Sequence, residues 1–522
     1  MKLVRLLSLC LLAGEPALAD SPSFTTPHLD TSKGDVAVTL NGACFVNHGL
    51  VGVGRLRAET RDFAGETLGS FSSMAVDLES WKRLPDGSYT GRISTLPDRG
   101  PNDVGTVVGT MNYRNRINCF TIRFKPYVGA ADLPQATGSQ DQLTLTPVGG
   151  LFLTDETGML MTGKDPGSNV VLRKGVPLPV VASGEGAGRI SLDSEGLAYA
   201  RDGSIYVSDE YAAAIYHFDA KGRLTGVIPA VPALMPRTSG RIDFNSVKPG
   251  ESGRRNNQGL EALAISPDGK RLVTILQSAT VQDSDDKAQQ TRNVTRILVY
   301  DISRHATPRE PIGHYVLELP LYTDAGDGGP PDRTAAQSEM VALSDHQFLV
   351  LARDGIGRGA IESPSKSPVV KSVLVIDTTG ATNLAGTGYE TGIEPVAHKG
   401  QLVAGIAPVR TAELIDMLNP IQLHRLGMNL DTLPSSPTTL SEKQEAMGLL
   451  PTLDPKAPND YFLLVGNDND FEAKDGLVDA VHFDASLGGP HGTGDNDNVV
   501  LPLDAAGAKG AIAIVGCQSP AA

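Results

Sequence analysis

Only one tryptophan and four cysteines occur in 522 residues. Cysteine is too scarce for a scaffold held together by disulfides, and a chain this long can bury a core without them. No run beyond the first residues approaches the ~20 apolar residues that cross a bilayer as a helix. Basic residues are also in deficit: 45 Lys and Arg stand against 60 Asp and Glu, a formal net charge of −15. That balance argues against nucleic acid or an anionic membrane surface as the main partner. Several catalytic signatures are missing. No G-x-S-x-G presents a serine nucleophile. His217, His314, His346, His398, His482 and His491 are scattered, without H-E-x-x-H or finger spacing. No G-x-G-x-x-G follows a strand and opens a helix. Serine hydrolases, zinc enzymes and dinucleotide enzymes are therefore disfavoured.

What is present is glycine and proline, 57 and 35 residues, and a repeated hairpin. Its clearest copy runs from Ile190 to Leu224. Glu195 heads a short strand, Asp202-Gly203 makes the turn, and Ser204 to Ser208 returns to Asp209-Glu210-Tyr211. Ile215 to Phe218 adds a third strand. Further copies start at Glu261, Glu339 and Glu445, and a weaker one at Ser73 has no Glu. Gln142–Leu145 and Gly150–Leu153 read as two strands of a further, decayed unit. Repeated hairpins of this kind predict an all-β chain forming a single six- or seven-bladed β-propeller with loop insertions. Thr411 to Leu430, with apolar residues at helical spacing around Pro420, reads as a short helical insertion on the rim. The long segments Leu234–Asn257, Gln282–Thr291 and Tyr322–Thr334 read as loops of functional kind.

The repeat carries the functional expectation. Glu195, Glu261, Glu339 and Glu445 take one equivalent position, so four carboxylates are expected to converge on one axis. Asp98, Asp209, Gln277, Arg353 and Asn467 take another. Fourteen residues separate Glu195 from Asp209, and fourteen separate Glu339 from Arg353. The plainer alternative is that each Glu is a solvated strand start or caps a neighbouring backbone. Converging carboxylates repel unless a cation lies between them. Asp98, Glu339, Glu445, Asn467 and Asp468 are expected as ligands of a hard cation, Ca2+. In Asn467-Asp468-Asn469-Asp470 either the two Asn or the two Asp project together. Glu195, Asp209 or Glu261 is the expected base, with Arg99, Arg353 and Tyr211 binding substrate. The alternative for Asp98-Arg99 and Arg353-Asp354 is an internal ion pair within each.

Residues 1–19 read as a signal peptide: Lys2 and Arg5, then Leu6 to Leu12, then Ala17-Leu18-Ala19 before Asp20. Residues 20–40 read as a leader and first strand, and 41–522 as the propeller domain. Val36–Leu40 is expected to pair with Ala511–Val515 to close the ring. The protein is expected to be exported, to the periplasm or the medium, and monomeric. Removing Cys10 leaves Cys44, Cys119 and Cys517, an odd number. Cys44–Cys119 would staple the first blade and Cys44–Cys517 would clasp the chain ends; spacing does not choose.

Leu96-Pro97-Asp98-Arg99-Gly100, the strand starts at Glu195 and Glu261, Ser208-Asp209-Glu210-Tyr211 and Gly466-Asn467-Asp468-Asn469-Asp470-Phe471 occur in this order. Together they resemble the phytase-like, "esterase-like activity of phytase" family, across roughly Asn41 to Phe471. The resemblance implies an exported propeller protein acting on phosphate esters or related esters. The Asp-rich loops of calcium-dependent propeller phytases are absent. A non-catalytic propeller that binds a ligand or protein across its channel mouth is the other expectation.

Overall fold

The computed structural model describes residues 22–360, 366–430, 432–487 and 494–506. The signal-peptide cleavage site, Cys517 and Ala511–Val515 lie outside these residues. The chain is nearly all β, as its turn-rich, alternating sequence predicts. Four four-stranded antiparallel sheets follow one another. The first is Ser73–Arg83, Tyr89–Leu96, Arg116–Phe124 and Leu143–Phe152, and the second Ser194–Tyr199, Ile205–Asp209, Ile215–Phe218 and Leu224–Ile228. The third is Leu260–Ile265, Arg271–Leu276, Val294–Asp301 and Gly313–Glu318. The fourth is Ala336–Ala342, Gln347–Arg353, Lys371–Asp377 and Arg410–Asp416.

A fifth sheet joins both ends of the chain. Lys443–Pro451, Asp460–Asp468 and Asn498–Ala506 pair in turn, and Ala43–Leu50 and then Val36–Leu40 continue the sheet outward. Val36–Leu40 pairs with Ala43–Leu50; its expected partner, Ala511–Val515, lies outside the described residues. The large sheets number five among the described residues, not six or seven. The unit expected from Gln142 to Leu153 is one long strand, the outer edge of the first sheet.

The first strands of the five sheets touch in a cycle: first to second, second to third, third to fourth, fourth to fifth, and fifth back to first. Apolar side chains fill each gap between sheets. Val273, Ile297, Phe348 and Leu374 pack between the third and fourth, and Leu349, Val373, Leu463 and Val499 between the fourth and fifth. Trp81 lies between the fifth and first sheets, stacked on Tyr89 at 5.2 Å, with its indole N–H donating to the Pro451 carbonyl at 2.8 Å. The rim insertion is only partly helical. Arg410–Asp416 is an edge strand, and Pro420–Arg425 a helix whose Asn419 side chain accepts from the Ile421 and Gln422 amides. Cys44 and Cys119 are both disulfide-bonded.

Candidate functional site

Where the first strands converge, the loops at one end enclose a polar cavity of about 290 Å3. Its charged lining comes from two turns of the repeat. Glu195, Glu261 and Glu445 come from first strands; Asp98, Glu210, Arg353 and Asp468 come from the exits of second strands, with Gln277 at the same place in the third sheet. Asp193, Lys443, Asp470 and Arg99 complete it. Eight carboxylates thus face three cationic side chains.

The register explains which residues arrive. In the second to fifth sheets the first strand carries an extra residue, a β-bulge, at this level. Ser194 pairs with Asp209 and Leu197 with Val207; Leu260 pairs with Leu276 and Leu263 with Thr274. Gln444 pairs with Asn467 and Ala446 with Gly466. In the fourth sheet Gln337 pairs with Ala352 and Met340 with Val350, so Ser338, not Glu339, is the counterpart of Glu195, Glu261 and Glu445. A shift of one residue turns a side chain to the other face of a strand. Glu339 accordingly leaves the polar cavity. Its carboxylate bonds to the Ser73 hydroxyl, the Met340 amide at 2.9 Å and the Leu263 amide at 3.4 Å. It borders a smaller apolar cavity of about 60 Å3, to which Met74, Leu197, Leu263, Met340 and Met447 each contribute from one sheet.

The same one-residue offset corrects three further expectations. Asp209 does not line the cavity. Its carboxylate accepts from the amides of Asp193 at 3.0 Å, Tyr211 at 3.1 Å and Ala212 at 2.8 Å, and so fixes the turn that aims Glu210 inward. Tyr211 is buried and donates to the Gly163 carbonyl at 2.7 Å, away from the cavity. Asn467 donates to the Ser441 hydroxyl at 3.0 Å and accepts from the Val499 amide at 2.5 Å. Asn469 is likewise tied to the backbone, by the Asn496 carbonyl and the Phe471 amide. In the acidic tetrad it is therefore Asp468 and Asp470 that project together. Asp193, Glu210 and Lys443 were not singled out by their sequence context. Asp193 and Lys443 stand two residues before Glu195 and Glu445, the period that repeats a strand face, and Glu210 follows Asp209 directly.

Two glycines permit the close packing. A Cβ on Gly196 would lie 2.5 Å from the Leu263 Cβ, and one on Gly259 would lie 2.2 Å from the Glu210 carbonyl oxygen. Ser208 then stitches the second sheet to the third, accepting from the Gly196 amide and donating to the Glu261 carbonyl, both at 2.7 Å.

Each cation has a partner. Arg353 binds Glu445, and its Nε donates to the Ser338 hydroxyl at 3.1 Å. Lys443 sits 2.5 Å from Asp470 and 3.6 Å from Asp468. Arg99 reaches Asp193 at 3.4 Å. Asp354 pairs with Lys371 at 2.9 Å, so neither Asp98-Arg99 nor Arg353-Asp354 is the local ion pair. Burial, then the Asp193 charge, pushes Asp98 up to about 7. Burial also pushes Asp193 and Glu210 up to about 7, although Arg99 opposes the shift. Burial followed by neighbouring carboxylates raises Glu195 and Glu261 well above the ordinary value. Burial raises Asp468 too, whereas Lys443 outweighs burial at Asp470 and holds it low. Hydrogen-bonded Gln277 holds Glu261 in place. Crowded carboxylate oxygens with so little positive charge make a donor set suited to a hard cation such as Ca2+ or Mg2+.

The family model described as "Phytase-like: Esterase-like activity of phytase" covers residues 68–471, and the chain belongs to that family. An uncharacterised secreted protein of Arthroderma benhamiae is 33% identical over 467 residues, covering 82% of this chain and 88% of that protein. Among solved structures, a Kuenenia stuttgartiensis hydrazine synthase chain is 11% identical, with 77% of each chain covered and a TM-score of 0.25. A chain of the COPII outer coat vertex is 10% identical, covering 76% of this chain and 95% of that one, with a TM-score of 0.23. Likenesses at that level assign nothing to this chain. No helix among the described residues is long and apolar enough to cross a membrane.

Proposed function

We infer that the five large sheets of the described residues are the blades of a β-propeller. We further infer that the protein is an exported, metal-assisted hydrolase of phosphate esters or related esters. The cyclic contact of the five first strands supports the propeller, and the secreted relative and the signal-like residues 1–19 support export. One observation carries the chemistry: eight carboxylates share one cavity with three cationic side chains, all three already paired. An anionic ester enters such a cavity only with added positive charge. A hard divalent cation supplies that charge when bound and polarises the ester oxygen. The side chains do the rest. Arg99 and Arg353 orient the anionic group on the far side from their carboxylate partners. Glu261, its carboxyl raised by burial and then by the charges of Glu210 and Glu445, gives its proton to the departing oxygen as water attacks phosphorus or carbonyl carbon, and the proton that water loses restores the Glu261 carboxyl.

The test is a panel of phosphate and carboxyl esters, assayed with Ca2+ and with chelator, on wild type and Glu261→Gln. Hydrolysis that disappears in chelator and falls about 10²–10⁴-fold in the variant supports the reading. The prior pairing of all three cations also favours a second reading, a propeller that binds a ligand without transforming it. Absence of hydrolysis across the panel, with metal present, selects that reading.

A further inference from the structure

Asp193, Glu195 and Glu210 belong to one hairpin of the second sheet and its approach. Each offers a carboxylate oxygen, and these oxygens all lie within 4.8 Å of one another. All three side chains are buried. The group has one cation at ion-pair distance, the Arg99 guanidinium, 3.4 Å from Asp193. Arg254 also acts on Glu210 through its charge, but its N–H groups point elsewhere. It donates to the backbone carbonyls of Tyr211 at 3.0 Å, Arg255 at 3.3 Å, Phe244 at 2.8 Å and Asn245 at 3.2 Å.

Glu210 supplies the separate observation. It is only 3% exposed and lines the cavity, yet its Oε1 has no hydrogen-bond partner. A buried carboxylate oxygen left unpartnered is costly, and proteins keep one where a ligand satisfies it. Asp209, through its three backbone bonds, prevents the turn from relaxing and carrying Glu210 away.

We propose that Asp193, Glu195 and Glu210 bind one Ca2+, with water in the cavity completing its shell. A Ca2+ shell places oxygens about 2.3–2.6 Å from the ion, so donors on opposite sides stand about as far apart as this cluster spans. The site puts the ion on the second sheet, rather than on Asp468 and Glu445 of the fifth sheet, which sequence spacing favours. Its part in hydrolysis rests on the function proposed above; its binding of the ion does not.

The experiment is calorimetric titration of CaCl2 into chelator-stripped protein: wild type, Glu210→Gln and, on the fifth sheet, Asp468→Asn. Wild type is expected to bind one ion per chain. Glu210→Gln is expected to weaken binding about 10–100-fold, with Asp468→Asn unchanged. Glu195→Gln repeats the test if Glu210→Gln melts below wild type. No binding by wild type overturns the site, as does a loss in Asp468→Asn that equals or exceeds the loss in Glu210→Gln. Binding as expected without turnover of any ester leaves the site standing and removes the hydrolase.

Discussion

Asp209 accepts three backbone N–H groups, while the Oε1 of its neighbour Glu210 accepts nothing. Substitution separates the two. Asp209→Ala strands three buried donors, each worth about 1–3 kcal/mol, so a loss of at least about 3 kcal/mol is expected. Glu210→Gln relieves crowded carboxylates and keeps an acceptor for the Gly259 amide, though it takes a counter-charge from Arg254, so the loss in chelator should be smaller. Urea denaturation of both variants in chelator measures the contrast, and equal losses would refute it. The acidic pair is plain in the sequence, but which member faces the cavity is not. That depends on a bulge, and the bulge depends on how the second and third sheets lock through Gly196 and Ser208. Glu339 shows the same limit. Its spacing to Arg353 matches that of Glu195 to Asp209, yet the extra residue lies at Ser338 and turns Glu339 toward Ser73.

Hairpins were the legible elements, because turn residues and short apolar runs are local. Asp202-Gly203 closes its turn as its composition requires, with Gly203 at a φ of +82° and the Asp202 carboxylate holding the Ser204 amide at 3.0 Å. Sheet membership was less legible. Leu143–Phe152 contains Pro147 and Gly149-Gly150 and reads as two strands, yet its partner Arg116–Phe124 keeps it whole through an irregularity at Cys119/Phe120. Leu414 and Ile415 carry a helical spacing but lie in a strand beside Lys371–Asp377, Ile415 opposite Val373 and Leu414 at the register shift. The element most exposed to test is the outer pair of the fifth sheet. A chain beginning at Val51 lacks Val36–Leu40 and Ala43–Leu50, including Phe45, and so bares the Leu503–Ala506 edge and uncovers Leu463 and Leu503. Such a chain should lose cooperative melting or aggregate. A melting curve like that of the full protein would show that closure does not depend on these strands.

For the molecule as a whole, the cavity carboxylates set how stability responds to pH. Asp98, Asp193 and Glu210 hold protons up to about 7, whereas in the unfolded chain they release them near their ordinary values of 3.8 and 4.5. Between those limits the native state binds more protons than the unfolded one, so metal-free stability falls as pH rises from about 4 through about 7. A cation that replaces those protons acts in the opposite sense. In chelator the melting temperature should be lower at pH 8 than at pH 5. Ca2+ should restore more at pH 8, by about 2.7 kcal/mol when present at about 100 times its dissociation constant. A melting temperature indifferent to chelator at pH 8 would contradict this. The fifth sheet, which takes strands from both ends of the chain, has one more consequence. Ala43–Leu50 leaves the ribosome about 450 residues before Asn498–Ala506, the strand it needs. The cavity wall follows the same order, from Asp98 in the first sheet to Asp470 beyond the second strand of the fifth. A nascent or truncated chain therefore carries many of the acidic side chains without their enclosure, and the site is finished only once Asn498–Ala506 has joined the fifth sheet.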